Sequence, residues 1–242
     1  MNIYGLLGRD IGYSFSRNFF SEFFKKENLH CVYQNFDLTT INELKPILQN
    51  SDIKGMNVTI PYKEDIISFL DTLDPIAKEI GAVNVVKFEK NGKITGYNSD
   101  YYGFTESLKP LLNNQVKKAL ILGTGGASKA IAYALGKLHI TYTFVSRNPG
   151  LKEFSYQDLN QDIITDHKLI INCTPLGTHP DIKNHPDIPY QYLDKNHVLY
   201  DLIYNPEETT FMKRGKEKGA TTSNGSKMLV LQAEKSWEIW NS

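Results

Sequence analysis

One ten-residue stretch leaves this chain few ways to fold. Ala119-Leu120-Ile121-Leu122 is a short apolar run without alternation, as a strand buried on both faces requires, and Gly123-Thr124-Gly125-Gly126-Ala127-Ser128 follows at once. Glycines at such a junction allow a tight turn and let backbone N–H groups approach a pyrophosphate at the positive end of a helix, here expected over residues 127–138. Glycines at a strand end also make ordinary turns; the placement between strand and helix is what favours a nucleotide. The sixth position is Ser128 rather than Gly or Ala, still small enough for close helix–strand packing.

A parallel α/β architecture extends to both sides of this segment. Residues 2–8, 32–38 and 55–60 read as strands, while 16–27, 40–50 and 63–70 carry apolar residues at helical spacing, the rhythm of βαβ units. A short helix over 74–80 follows. Residues 82–88 and 93–97 then flank Asn91-Gly92, a hairpin signal that gives the first sheet an antiparallel edge. After a helix at 100–112, the second unit continues through strands at 118–122, 142–146, 169–172 and 198–202 and a helix at 207–218. The final helix, 226–240, carries Leu229, Ala233, Trp237 and Trp240 along one side and needs an apolar partner, expected in the first domain. The expectation is therefore two domains: residues 1–101 with 224–242 form a mostly parallel α/β substrate-binding and catalytic domain, and 102–223 a Rossmann-type nucleotide-binding domain.

The 242 residues carry 27 basic and 27 acidic groups, a balance that argues against a nucleic-acid partner and makes any anion site local. Cys31 and Cys173 lie far apart in apolar surroundings, as buried structural thiols of a reducing compartment do. No basic leader or run of 18 apolar residues is present, so a cytoplasmic location without membrane association is expected, as a monomer or homodimer. His-Pro-Asp-Ile occurs at 179–182 and again at 185–188; with Pro189 it reads as a surface loop rather than a metal site, and no metal is expected.

About 23 residues after Gly123, where an NAD-binding unit places an acid against the ribose 2′-hydroxyl, the chain has Ser146-Arg147-Asn148. A guanidinium clamps a 2′-phosphate and stacks on adenine, so Arg147, with Ser146 and Lys152 beside it, points to NADP; the alternative is a solvated arginine after a strand. In the first domain, Ser14-Phe15-Ser16 sets two hydroxyls before a helix, where they suit a carboxylate, or where Ser16 is simply an N-cap. Asn57 and Thr59 stand in the polar end of a strand and Lys63 just beyond it, where the carboxyl end faces the ligand crevice of an open α/β sheet; Asn84 starts a strand and Asp100 a helix. Each has a structural alternative, Asp100 as an N-cap and Lys63 as a solvated lysine.

Taken in order, these segments resemble the shikimate dehydrogenase family along nearly the whole chain. The matching motifs are Ser14-x-Ser16, Asn57-Val58-Thr59-x-Pro61-x-Lys63, Gly81-Ala82-Val83-Asn84, Gly96-Tyr97-Asn98-x-Asp100-x-x-Gly103, the glycine loop, Asn172-Cys173-Thr174-Pro175-x-Gly177, Asp201-Leu202-x-Tyr204-x-Pro206 and Met228-Leu229-Val230-x-Gln232-Ala233. The resemblance implies reversible NADP-dependent reduction of 3-dehydroshikimate to shikimate, a step of aromatic amino-acid biosynthesis. It implies that Ser14 and Ser16 hold the substrate carboxylate, that Thr59, Asn84, Tyr204 and Gln232 hydrogen-bond the substrate, and that Lys63 and Asp100 sit at the oxygen that changes between alcohol and ketone.

The resemblance further assigns the cofactor to Gly123, Gly125, Gly126, Ala127, Ser146, Arg147 and Thr174, with Gly225 and Met228 flanking the nicotinamide. Three departures touch the cofactor side: Lys227 stands where the family has a second glycine, Thr178 where it has methionine, and Leu151 beside Lys152 where it has a second arginine. The alternatives are a quinate/shikimate dehydrogenase of relaxed specificity and a catalytically silent metabolite-binding module. Retention of both Lys63 and Asp100 speaks against the silent module, since recognition of a ring carboxylate needs neither.

Overall fold

The chain divides after Asp100 in the computed structural model, which describes residues 1–12 and 14–242: Met1–Asp100 with Gln232–Ser242 form one compact unit, and Tyr101–Leu231 a second. The first contains β1 (Asn2–Gly8), α1 (Phe15–Lys26), β2 (Cys31–Asp37), α2 (Leu44–Ile47), β3 (Ile53–Val58), β4 (Thr72–Leu73), α3 (Pro75–Ile80), β5 (Val85–Phe88) and β6 (Ile94–Tyr97). Its sheet runs β2-β1-β3-β5-β6-β4, with β1 parallel to both neighbours and β5 antiparallel to both of its own.

Alternation along these strands sorts side chains between two cores. Tyr4 and Leu6 face one side with Phe20, Phe24, Tyr33, Val85, Ala233 and Trp240, whereas Leu7, Met56, Val58, Tyr62, Ile66 and Val86 fill the other. The helix α1 covers the first face. Ser14 caps it by accepting from the Arg17 N–H at 3.1 Å, and Lys25 and Lys26 end it, complementing the dipole.

The second unit begins with α4 (Asp100–Leu108), whose first residue belongs to the first unit, and continues through β7 (Lys118–Leu122), α5 (Gly126–Lys137), β8 (Thr141–Val145), α6 (Gln161–Asp166), β9 (Leu169–Asn172), β10 (Val198–Asp201), α7 (Thr210–Lys216) and β11 (Thr221–Ser223). Its all-parallel sheet has the order β11-β10-β9-β7-β8. Residues 119–122 of β7 are fully buried, with Ala119 and Ile121 in one core and Leu120 and Leu122 in the other. The strand order reverses at β7, between β8 and β9, so the carboxyl ends of these three strands form the switch point where such sheets bind ligands.

The last helix, α8 (Ser226–Asn241), starts in the second unit and ends in the first. In the first unit its Trp240 packs on Tyr4 and Phe20, with ring centroids 4.8 and 5.2 Å away, and donates from Nε1 to the Val86 carbonyl at 3.0 Å. Gly55 makes this possible, because a Cβ there would run into the indole. Among the described residues no helix is long and apolar enough to cross a membrane.

Several local expectations are corrected. The helix expected at 63–70 is a short 3₁₀ segment, Asp65–Phe69: the Lys63 carbonyl accepts from the Val83 N–H at 2.8 Å and so leaves the helical ladder. The helix expected at 40–50 shrinks to a 3₁₀ turn at Ile41–Glu43 and α2, since Pro46 lacks the N–H that would extend it. The helix expected at 207–218 is only α7, started by the Thr209 hydroxyl, which accepts from Met212 N–H.

The first sheet does not end at its hairpin. The two-residue β4 pairs parallel to β6 outside it, too short to leave a periodic trace. The short α6 and β11 carried no such trace either. Ser14, not Ser16, is the N-cap of α1. Both cysteines are free and half-buried rather than buried: Cys31 opens the edge strand β2, and Cys173 faces a cavity beyond β9.

Trp240→Ala removes a buried ring together with its hydrogen bond. It is expected to cost about 3–5 kcal/mol, read as a lower urea midpoint; an unchanged midpoint would show that the C-terminal helix adds nothing to the first unit.

Candidate functional site

Lys63 and Asp100 reach one another from distant parts of the chain. Lys63 ends the turn beyond β3, Asp100 begins α4, and the ammonium donates to Asp100 Oδ2 at 2.6 Å. The lysine side chain is 13% exposed and the aspartate 5%, so the pair is largely dry while the ammonium still opens to solvent. The other carboxylate oxygen accepts from Asn84 Nδ2 at 2.9 Å. Asn84, 2% exposed, shares its two amide hydrogens among Asp100, Ser99 Oγ at 3.0 Å and Gln232 Oε1 at 3.0 Å, while its own oxygen accepts the Ser99 N–H at 2.6 Å. Four candidates named from sequence, Lys63, Asn84, Asp100 and Gln232, thus form one connected cluster.

The serine pair lies at another part of the same unit. Ser14 is buried at the start of α1, and Ser16, half-buried, lies near the Tyr33 phenol, which burial pushes strongly upward in pKa. Tyr33 donates in turn to Asn57 Oδ1 at 2.8 Å. Thr59 follows β3, its N–H on the Leu7 carbonyl at 2.9 Å. Tyr204 belongs to the second unit, half-buried in the loop after β10.

In the second unit, a cavity of about 380 Å³ opens at the carboxyl ends of β7, β8 and β9. Gly123, Thr124 and Gly125 line it from one strand, Ser146 and Arg147 from the next, Cys173 and Thr174 from the third. Gly123 has φ +97°, a left-handed conformation, and a Cβ there would press on Thr174 at 3.0 Å. Gly125 is the N-cap of α5 with no side-chain cap, and the space where its Cβ would stand is open, so a phosphate can approach the Gly126 and Ala127 backbone directly. The cradle and the cation at its rim fit a dinucleotide.

Gly225 and Met228 do not line this cavity. Gly225 lies against the Leu202 backbone, where a Cβ would strike the carbonyl oxygen, and Met228 is buried in the core with Tyr200 and Ile171. Sequence reading missed Tyr156, which lines the cavity near Arg147; burial raises its phenol's pKa and the guanidinium partly offsets this. It also missed Tyr33, Ser99 and Ser236. The available signals were slight: Ser99 precedes Asp100, and Ser236 stands one helical turn after Gln232.

Comparison with known proteins gives concordant results. Residues 6–86 match the family model described as the shikimate dehydrogenase substrate binding domain. A shikimate dehydrogenase (NADP(+)) of Clostridium botulinum is 40% identical over 248 residues, spanning 98% of this chain and 95% of the relative. The crystal structure of a shikimate dehydrogenase in complex with NADP+ matches with a TM-score of 0.87 at 33% identity, covering 99% of this chain and 90% of that one. That of the shikimate 5-dehydrogenase from Thermus thermophilus, in complex with NADP(H) and shikimate, matches with 0.86 at 28% identity, covering 99% and 93%.

Thr174 is held from behind. Its N–H and hydroxyl donate to Asn172 Oδ1 at 3.0 and 2.6 Å, and Asn172 Nδ2 donates to Asp201 Oδ1 at 3.0 Å. Asp201, fully buried, also accepts from Ile203 N–H at 3.0 Å and the Thr209 hydroxyl at 2.6 Å. Burial outweighs these donors and pushes its carboxyl from 3.8 up to about 6. A raised acid holds its proton in the folded state between about pH 4 and 6. Its contribution therefore favours the fold at low pH and is lost as pH rises through that window, on the order of 3 kcal/mol. The stability difference between wild type and Asp201→Asn, measured by urea midpoints, is expected to shift against the wild type from about pH 4 to 7; a constant difference would count against the raised carboxyl.

Proposed function

The chain belongs to the shikimate dehydrogenase family, and on that premise we propose that it catalyses the reversible NADP-dependent reduction of 3-dehydroshikimate to shikimate, with Lys63 and Asp100 as its catalytic pair. It is an NADP-dependent oxidoreductase of the shikimate pathway; a cytoplasmic setting accords with that role. The observation that carries the catalytic assignment is the 2.6 Å Lys63–Asp100 contact, with Asn84 on the second carboxylate oxygen.

Bound NADP supplies the hydride in one direction and takes it up in the other, which leaves the protein to manage the proton and the charge on the substrate oxygen. In reduction that oxygen becomes negative, and the Lys63 ammonium stabilises it and delivers a proton. Asp100 fixes where the ammonium points and balances its charge. In oxidation Lys63 acts as the base. Asn84 and Gln232 supply amide groups for ring hydroxyls, Thr59 and Tyr204 further hydrogen bonds, and Ser14 and Ser16 hold the carboxylate at the N-terminus of α1.

On the cofactor side, Gly123, Gly125, Gly126 and Ala127 present backbone to the pyrophosphate. Ser146 and Arg147 receive the 2′-phosphate, and Thr174 lies across the cavity. Gly225 and Met228 are assigned to the nicotinamide end on the family pattern.

Purified protein with shikimate and NADP+ is expected to form NADPH at 340 nm, and Lys63→Ala to lower the rate roughly 10²–10⁴-fold. Turnover confined to quinate would move the chain to the relaxed-specificity reading, and no turnover with either would leave a binding module. Arg147→Ala is expected to raise the KM for NADPH about 10- to 100-fold and leave that for NADH nearly unchanged; equal effects on both would remove Arg147 from the 2′-phosphate site.

A further inference from the structure

Ser236 is fully buried on α8, where alanine would suit both the helix and an apolar core better. Its hydroxyl hydrogen is committed to the Gln232 carbonyl one turn back, at 2.8 Å. The oxygen is then purely an acceptor for its two remaining neighbours. Asn57 Nδ2 donates to it at 2.8 Å, and Ser99 Oγ lies 3.3 Å away, its hydrogen shared between this oxygen and Asn84 Oδ1 at 3.4 Å.

These two neighbours lead to the two groups of residues assigned to the substrate. Asn57 accepts from Tyr33, whose phenol lies near Ser16 of the serine pair. Ser99 accepts from Asn84, which holds Asp100 and through it Lys63. Asn57 and Ser99 are 7% and 0% exposed, so the junction is dry and its hydrogen bonds form without competition from water.

We propose that Ser236 is a positioning residue for the reaction: it fixes the spacing between the serine pair that receives the substrate carboxylate and the Lys63–Asp100 pair that handles the proton, without touching the substrate. Removing its oxygen leaves Asn57 Nδ2 with only the Asn84 carbonyl at 3.4 Å and frees Ser99 to turn away. Ser99 then keeps Asn84 as its only side-chain partner in the cluster, and the order of the Asn84 amide and of Asp100 beyond it loosens. The inference rests on the proposed dehydrogenase function.

The test is steady-state kinetics of the full-length Ser236→Ala variant. The expected result is a fall in kcat/KM for shikimate of about five- to tenfold, the scale of one buried hydrogen bond, with a raised KM for shikimate, an unchanged KM for NADP+ and a displaced pH–rate profile. Ser236→Cys keeps the volume but hydrogen-bonds weakly, so it is expected to show a smaller loss in the same direction, and it serves in place of the alanine variant should that one not fold. A lower kcat with both KM values and the pH profile unaltered is the signature of less folded protein and would overturn the positioning role. So would wild-type kinetics in either folded variant. Absence of shikimate-dependent turnover in the wild-type chain would instead overturn the function on which the inference rests.

Discussion

The polar cluster of the first unit depends on a single buried amide. Asn84 has almost no exposure, and its side-chain amide donates toward the Asp100 carboxylate, the Ser99 hydroxyl and the Gln232 carbonyl oxygen. Its backbone is fixed as firmly, with its N–H on the Tyr97 carbonyl at 3.0 Å and its C=O receiving Val58 N–H at 2.8 Å. An amide pinned on both its backbone and its side chain cannot rotate to suit a neighbour, so the neighbours take their orientation from it. Asp100 does so directly and Lys63 at one remove. The order of the sheet matters for the same reason: Asn84 just precedes β5, which lies between β3 and β6, and so can gather groups from the β3 turn, the start of α4 and the returning α8.

The second unit uses the same device with different residues. Asp201 collects three donors in the core, and one of them, Asn172, orients Thr174 at the cavity. Here the central group is an acid, and its upward-shifted pKa is what burial costs a carboxylate whose partners are all neutral. In the first unit the acid has a cation beside it. Asp201 orients Thr174 through Asn172, whereas Asp100 accepts directly from the Lys63 ammonium.

Sequence made local features legible and distant ones not. The strand–glycine–helix segment needed only its own residues, since β7 is buried on both faces and the Gly123 turn demands positive φ. Lys63 and Asp100 were nameable, but their pairing was not, since 37 residues separate them and only the fold brings them to 2.6 Å. The helix expected at 63–70 failed because the Lys63 carbonyl serves Val83, a tertiary bond that no helical periodicity encodes. Ser236 and Tyr33 read as incidental residues of a helix and a strand. Their importance comes from Asn57, which faces the α8 side of the sheet by the two-residue period of β3 and meets both.

The cluster of Asn57, Asn84, Ser99, Asp100 and Ser236 is an expensive way to build a core. All five are at most 7% exposed, and apolar residues of similar volume would avoid the desolvation of every one of them. Because each has partners within the cluster, the native arrangement is tolerated, but a partly satisfied version would not be: losing one member strands the next. Such a network tolerates few alternative geometries, which is a weakness in a region that need only be stable and would be an advantage in the proposed role of Lys63. Trp240 and the aromatic cluster around Tyr4 and Phe20 provide the complementary half of the arrangement on the same helix. Their apolar burial secures the end of α8 against the sheet, so that Ser236 and Gln232, one and two turns earlier, are held at the polar cluster.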